Sequence, residues 1–163
     1  MADLGATTAL SILVDGDACP VKQEVFDVAW RYGVPVTVVA NQFLRLPDHP
    51  LIQMKTVSRD FDAADDWIVE QAGPDTIVVT GDILLADRAL KAGAAALSNS
   101  GKAYTEDSIG GLVAQRAIMA DLRAGMINEN AGSPPPFTKA DRSRFRSALD
   151  QCVTRLQRQR SGA

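Results

Sequence analysis

Short unbroken apolar runs alternate along this chain with longer stretches whose apolar residues stand three and four apart, and that change of period sets out the elements. Residues 11–14 form a compact apolar run, and after Pro20 the residues Val21, Val25, Val28 and Ala29 fall at helical spacing until Gly33 ends the helix. Residues 35–40 predict a second strand and residues 52–57 a third, more polar one, with a long loop carrying Pro47 and Pro50 between them. A helix over about residues 62–72 is marked by Ala63, Trp67 and Ile68 and broken by Gly73 and Pro74. Residues 76–80 are apolar or β-branched throughout, the pattern of a strand covered on both faces; a helix over about 83–91 and a last short strand over 94–97 follow. A further helix is predicted near 107–124, then a break at the proline run 134–136, then a terminal helix opened by Thr138 and Asp141 at capping-box spacing.

Strands alternating with helices at these intervals imply right-handed βαβ units, hence an α/β three-layer sandwich with a mostly parallel central sheet. The boundaries divide the chain into an α/β domain over residues 1–131 and, over 132–163, a proline-containing hinge with a basic C-terminal helix, an appendage packed on that domain or extending from it.

Composition adds limits. With 163 residues, 46% hydrophobic and 23% charged, the chain has the size and balance of one ordinary globular domain, and no apolar run is long enough to span a bilayer. The opening residues lack the basic start of a signal peptide, and Cys19 and Cys152 make no disulfide framework, so a cytoplasmic protein is expected. The net charge of −3 is uneven: residues 139–163 carry seven Lys or Arg against two Asp, and the remainder ten against eighteen acids. Such a basic helix reads first as a solvated face and second as a place to meet phosphate. Trp30, Trp67 and Phe26 have apolar helical neighbours and are expected in the core, Cys19 is expected to be a small buried thiol, and His49 sits in a loop without an evident role.

The chemistry-bearing residues are aspartates. In open parallel sheets ligands bind outside the carboxyl ends of the strands, where loops and helix N-termini converge. Asp15 and Asp17 follow the first strand, Asp82 follows the fourth with Asp87 beyond it, and Asp62, Asp65 and Asp66 open a helix at spacings of three and four that share a face. Any one of these alone reads as a helix cap. Together they repel, and such a cluster is hard to keep without a cation. All-oxygen ligation without His or Cys selects a hard ion, Mg2+ or Mn2+. Arg45, Arg59 and Lys102 lie in loops that could border the cleft and contact phosphate, with plain solvent exposure the competing reading.

At residues 15–20 (DGDACP), 39–42 (VANQ), 61–65 (FDAAD) and 80–82 (TGD) the chain resembles the YaiI/YqxD family of uncharacterised bacterial proteins. The resemblance runs from about residue 12 to 105, with a looser echo through the terminal helix. One departure is Gly16, where family members often carry Ala, expected to do no more than loosen the turn. That family in turn resembles the PIN and NYN nucleases. The likeness implies a PIN-like fold, with Asp15, Asp62 and Asp82 as catalytic acids and Asp17, Asp65 and Asp87 completing the ligands of one or two metal ions. It further implies RNA as the substrate, cut by metal-assisted hydrolysis.

Two rival readings share the residues. In a haloacid-dehalogenase-like phosphatase Asp15 would be the nucleophile, Asp17 the general acid, and Asp82 and Asp87 magnesium ligands, but no Lys lies between Ser58 and Asp82, and Asp62 and Asp65 are left without a role. A non-catalytic protein that holds metal and RNA would need the same ligands as the nuclease.

Overall fold

The computed structural model describes residues 9–60, 62–125 and 137–161. Among them six strands form one sheet: β1 (Ser11–Asp15), β2 (Val36–Ala40), β3 (Ile52–Thr56), β4 (Thr76–Val79), β5 (Ala95–Leu97) and β6 (Ala103–Tyr104), in the order β3-β2-β1-β4-β5-β6. Every neighbouring pair is parallel except β5 with β6. The helices are α1 (Lys22–Tyr32), α2 (Ala63–Gln71), α3 (Ile83–Lys91), α4 (Glu106–Gly125) and α5 (Lys139–Ser161).

Alternation along the strands makes the layers. Ile12 and Val14 turn to one face and join Val36, Val38, Ile77 and Val79 in a cluster beneath α1 and α5. Leu13 turns to the other face and packs with Val39 and Val78 beneath α2 and α3. Because both faces are covered, all four residues of β4 are buried, which is why its sequence shows no polar alternation. β3, at the edge, keeps only Ile52 fully inside. The α/β sandwich with a mostly parallel sheet is therefore present as its pattern predicts. The antiparallel β6 was not anticipated: it is two residues long and has no period to read.

The terminal helix is a wall of the core. Phe145, Leu149 and Val153 are fully buried in the cluster that holds α1 and the near face of the sheet. Its cations are largely occupied: Arg142 reaches Glu24 at 3.4 Å, Arg146 reaches Asp27 at 2.7 Å, and Arg160 pairs with Asp75. An exposed pair such as Arg146 with Asp27 contributes about 0–1 kcal/mol, and the buried Glu24 carboxylate offsets much of its own pairing by desolvation, whereas burying a Phe or Leu side chain contributes about 1.5–3 kcal/mol, so apolar contact holds α5 in place. The proline run 134–136 lies outside the described residues.

Three smaller expectations are revised. Trp30 is 39% exposed and lies over the buried Phe26 at 6.5 Å, with the ring of His49 on it at 5.4 Å, so it closes the core from outside. Trp67 is only partly buried, with the Lys55 ammonium 5.6 Å from its ring. Gly16 does more than loosen a turn: a Cβ there would stand 2.6 Å from a Val38 methyl and 3.1 Å from the Val39 carbonyl oxygen. The turn after β1 thus lies directly on β2. Among the described residues no helix is long and apolar enough to cross a membrane.

Candidate functional site

The connection leaving β1 runs through α1 on one face of the sheet, while the connections into and out of β4 run through α2 and α3 on the other. β1 and β4 are hydrogen-bonded neighbours, so the loops leaving their carboxyl ends diverge and open a crevice at the point where the strand order reverses. Asp15 ends β1, Asp17 sits in the short turn behind it, and Asp82 follows β4. The start of α2 adds Asp62 and Asp65, and all five carboxylates line one cleft of about 510 Å³.

Each acid has its own local support. Asp15 accepts a hydrogen bond from the Thr80 hydroxyl at 2.9 Å, while the Thr80 oxygen accepts the Asp82 amide at 2.9 Å, so one side chain ties the ends of both strands together. Asp17 accepts the Asn41 amide at 3.2 Å, fixing the turn against the end of β2. Asp82 caps α3 through the amides of Leu84 and Leu85. Asp62 holds the capping position of α2 but makes no capping hydrogen bond, and its backbone is left-handed at φ 67°, the one non-glycine residue in that region among those described. The cap reading therefore accounts for Asp82 and leaves Asp62 unexplained.

The electrostatics show crowding. Burial pushes the Asp15 carboxyl above its usual value; the Thr80 hydrogen bond opposes this, and the charges of Asp17 and Asp82 add to it. Asp65 is pushed up to about 6, first by burial and then by the negative charges of Asp15, Asp82 and Asp62, with Arg88 opposing only in part.

Other residues singled out in the sequence fall elsewhere. Asp87 points along α3 to Lys91 at 2.9 Å and does not line the cleft, and Asp66, which does not line it either, pairs at 2.9 Å with Arg88, which does. Arg59 lines the cleft; Arg45 is exposed on the loop before β3; Lys102 lines a separate pocket against α5. Cys19 is buried, and that burial pushes its thiol up, away from a reactive thiolate. Four polar cleft residues had no assigned role: Asn41, Asp60, Arg88 and Arg116. Arg116 comes from α4 and also lines a second lobe beside Asp15, Gly81 and Asp82. A signal for it existed, since Ile109, Leu112, Val113 and Arg116 stand three and four apart, the first three packing toward α3.

The donor set is carboxylate oxygen throughout, which suits a hard divalent ion. Among the described residues no three His, Cys, Asp or Glu side chains are gathered closely enough to hold an ion unaided. That spacing is compatible with magnesium, which keeps several waters and is commonly held by one or two carboxylates together with substrate phosphate.

Comparison with known proteins agrees with these motifs. A family model described as "Uncharacterized BCR, YaiI/YqxD family" matches residues 13–155. A UPF0178 protein of Sphingopyxis alaskensis is 63% identical over 147 residues, covering 90% of this chain and 95% of its own. Similar proteins from a Jannaschia species and from Nitrobacter winogradskyi are 57% and 52% identical, covering 89% and 93% of this chain and 93% and 95% of their own. No solved structure matches. With a family model spanning most of its length and relatives this similar end to end, the chain belongs to the YaiI/YqxD family.

Proposed function

We propose that the protein is a metal-dependent nuclease that cuts RNA at the aspartate cleft, as the resemblance to PIN-like and NYN-like nucleases suggests. The observation that carries this reading is the convergence of Asp15, Asp17, Asp62, Asp65 and Asp82 from three separate stretches of chain into one cleft at the switch point of the sheet. Asp15, Asp62 and Asp82 are the primary acids. Asp17 and Asp65 complete the set able to hold Mg2+ or Mn2+, and Asp87 on its helix serves another purpose. A bound divalent ion would neutralise phosphate charge and stabilise the leaving oxygen. The chain itself keeps the carboxylates in register through Thr80 and Asn41, and offers Arg59 and Arg116 at the cleft to orient a phosphate backbone. Asp65, pushed up to about 6 by burial and its acidic neighbours, would be drawn toward its ionised form by a cation in the cleft.

The test is manganese-dependent turnover of the purified protein on single-stranded RNA and on small phosphomonoesters, with Asp15→Asn and Asp82→Asn as controls. RNA cleavage lost in both variants supports the nuclease. Phosphate release through a trapped aspartyl intermediate replaces it with the phosphatase, and absence of turnover on both substrates with RNA still bound moves the assignment to metal-dependent binding.

A further inference from the structure

The turn joining β5 to β6 separates two cavities. On one side Asn99 stands against Gly81, its amide nitrogen 3.1 Å from where a glycine Cβ would be, and Gly81 lines the lobe shared by Asp15, Asp82 and Arg116. On the other side Ser100 and Lys102 face Asp141, Arg144, Ser147 and Gln151 of α5 across a pocket of about 560 Å³. The turn is held rigidly: the Ser98 amide donates to the Lys102 carbonyl at 2.8 Å, and the Lys102 amide donates to the Ser98 hydroxyl at 3.0 Å. It also lies hard against the helix, since a Cβ on Gly101, whose φ is +89°, would stand 2.8 Å from the Arg144 carbonyl oxygen. Both walls are therefore in place before any ligand arrives.

The polar groups of this pocket select an anion. Its carboxylate, Asp141, is already occupied by the Thr138 amide and hydroxyl, each at 2.9 Å, and by Arg144. The groups left over are the Lys102 ammonium, which has no carboxylate within 4 Å among the described residues, the remaining guanidinium N–H groups of Arg144, the Ser147 hydroxyl and the Gln151 amide. These are donors for phosphate oxygen.

We propose that this pocket is a phosphate subsite for an RNA backbone, in which Lys102 and Arg144 hold a phosphate distant from the one at the carboxylates. The strand crosses the turn over residues 98–102 between the two. That the ligand is RNA rests on the nuclease reading; that it is a phosphate rests on the pocket alone. The subsite makes affinity depend on strand length, because only a strand long enough to cross the turn engages both cavities.

The experiment is fluorescence anisotropy with a 5′-labelled single-stranded RNA 12-mer in manganese, on an Asp15→Asn background to stop turnover, over a range of salt concentrations. Lys102→Gln removes one phosphate contact, so the slope of log K against log salt should fall by about 0.7, with binding several-fold weaker at moderate salt. Ser147→Glu, at an exposed helix position, should weaken binding further while leaving the melting temperature in place. Equal slopes and affinities in all three proteins overturn the subsite, as does failure of the parent protein to bind the 12-mer. So does Lys102-dependent capture of inorganic phosphate with no effect of Lys102→Gln on RNA. RNA cleavage by the otherwise wild-type chain, assayed beside these, reads the catalytic proposal separately: altered slopes without cleavage keep the pocket and remove the nuclease, and cleavage with unaltered slopes does the reverse.

Discussion

Asp62 carries the most informative strain in the molecule. Left-handed backbone is uncommon outside glycine, though Asp tolerates it better than most, and here the side chain is not repaid by a capping hydrogen bond. Under the proposed function the position needs the carboxylate that Asp62 brings to the cleft. Asp62→Gly should then stabilise the fold by up to about 1 kcal/mol while abolishing cleavage, and Asp62→Ala should melt below both. A melting order with Asp highest would remove the strain argument. Asp65 gives a second test. Its folded-state pKa of about 6 lies above the unfolded value, so the metal-free folded chain retains a proton that the unfolded chain loses. Stability from this group is full below the unfolded value, near pH 4, and is lost as pH rises through about 6. Asp15, also raised, acts in the same direction. Chemical denaturation in EDTA across pH 4–7 should show this decline for the parent protein and a flatter profile for Asp65→Asn; parallel profiles would mean that the cluster is not crowded.

Among the elements, burial sorts the two ends of α4. Ile109 is buried against α3, whereas Ile118 further along is 58% exposed. Ile109→Ala should cost about 2–4 kcal/mol and Ile118→Ala under about 0.5 kcal/mol in urea unfolding. Equal costs would place the far half of α4 against something. This contrast also shows what the sequence makes legible. The strands could be read because both faces of β1, β2 and β4 are apolar, and the acids because they stand immediately after the strand ends, where chain direction leaves little choice of location. Asp87 was misplaced because five residues beyond Asp82 is about 140° around a helix, which turns it away from the crevice. The position of Lys102 was not legible, and the spacing that sets Arg116 on one face with Ile109, Leu112 and Val113 does not say where that face docks, since both depend on how α4 and α5 pack, a matter of side-chain volume and not of period. The basic face of α5 is the counterpart: counted along the chain it reads first as a solvated face and second as a place to meet phosphate, whereas Arg142, Arg146 and Arg160 meet carboxylates of α1 and of the turn before β4.

At the scale of the molecule, the sheet brings together charges that destabilise it. Three stretches of chain converge at the switch point, and their carboxylates repel in a partly buried cleft, so the fold is held by its apolar clusters against the cost of its site. A cation that binds only the folded state reverses this. At a hundredfold excess over its dissociation constant, a single ion adds about 2.7 kcal/mol, which for a domain of this size corresponds to a rise in melting temperature of roughly 5–10 °C. Manganese should produce that rise near pH 7.5, with less of it near pH 5.5, where protons compete for Asp65. Asp82→Asn should reduce the rise without reducing metal-free stability by more than about 1 kcal/mol, because asparagine still caps α3. Calcium and magnesium run alongside separate a particular ion from general screening: monovalent salt at matched ionic strength should move the parent protein only slightly. If it moves the melting temperature as far as manganese does, the carboxylates are merely being screened and the cleft is not an ion site.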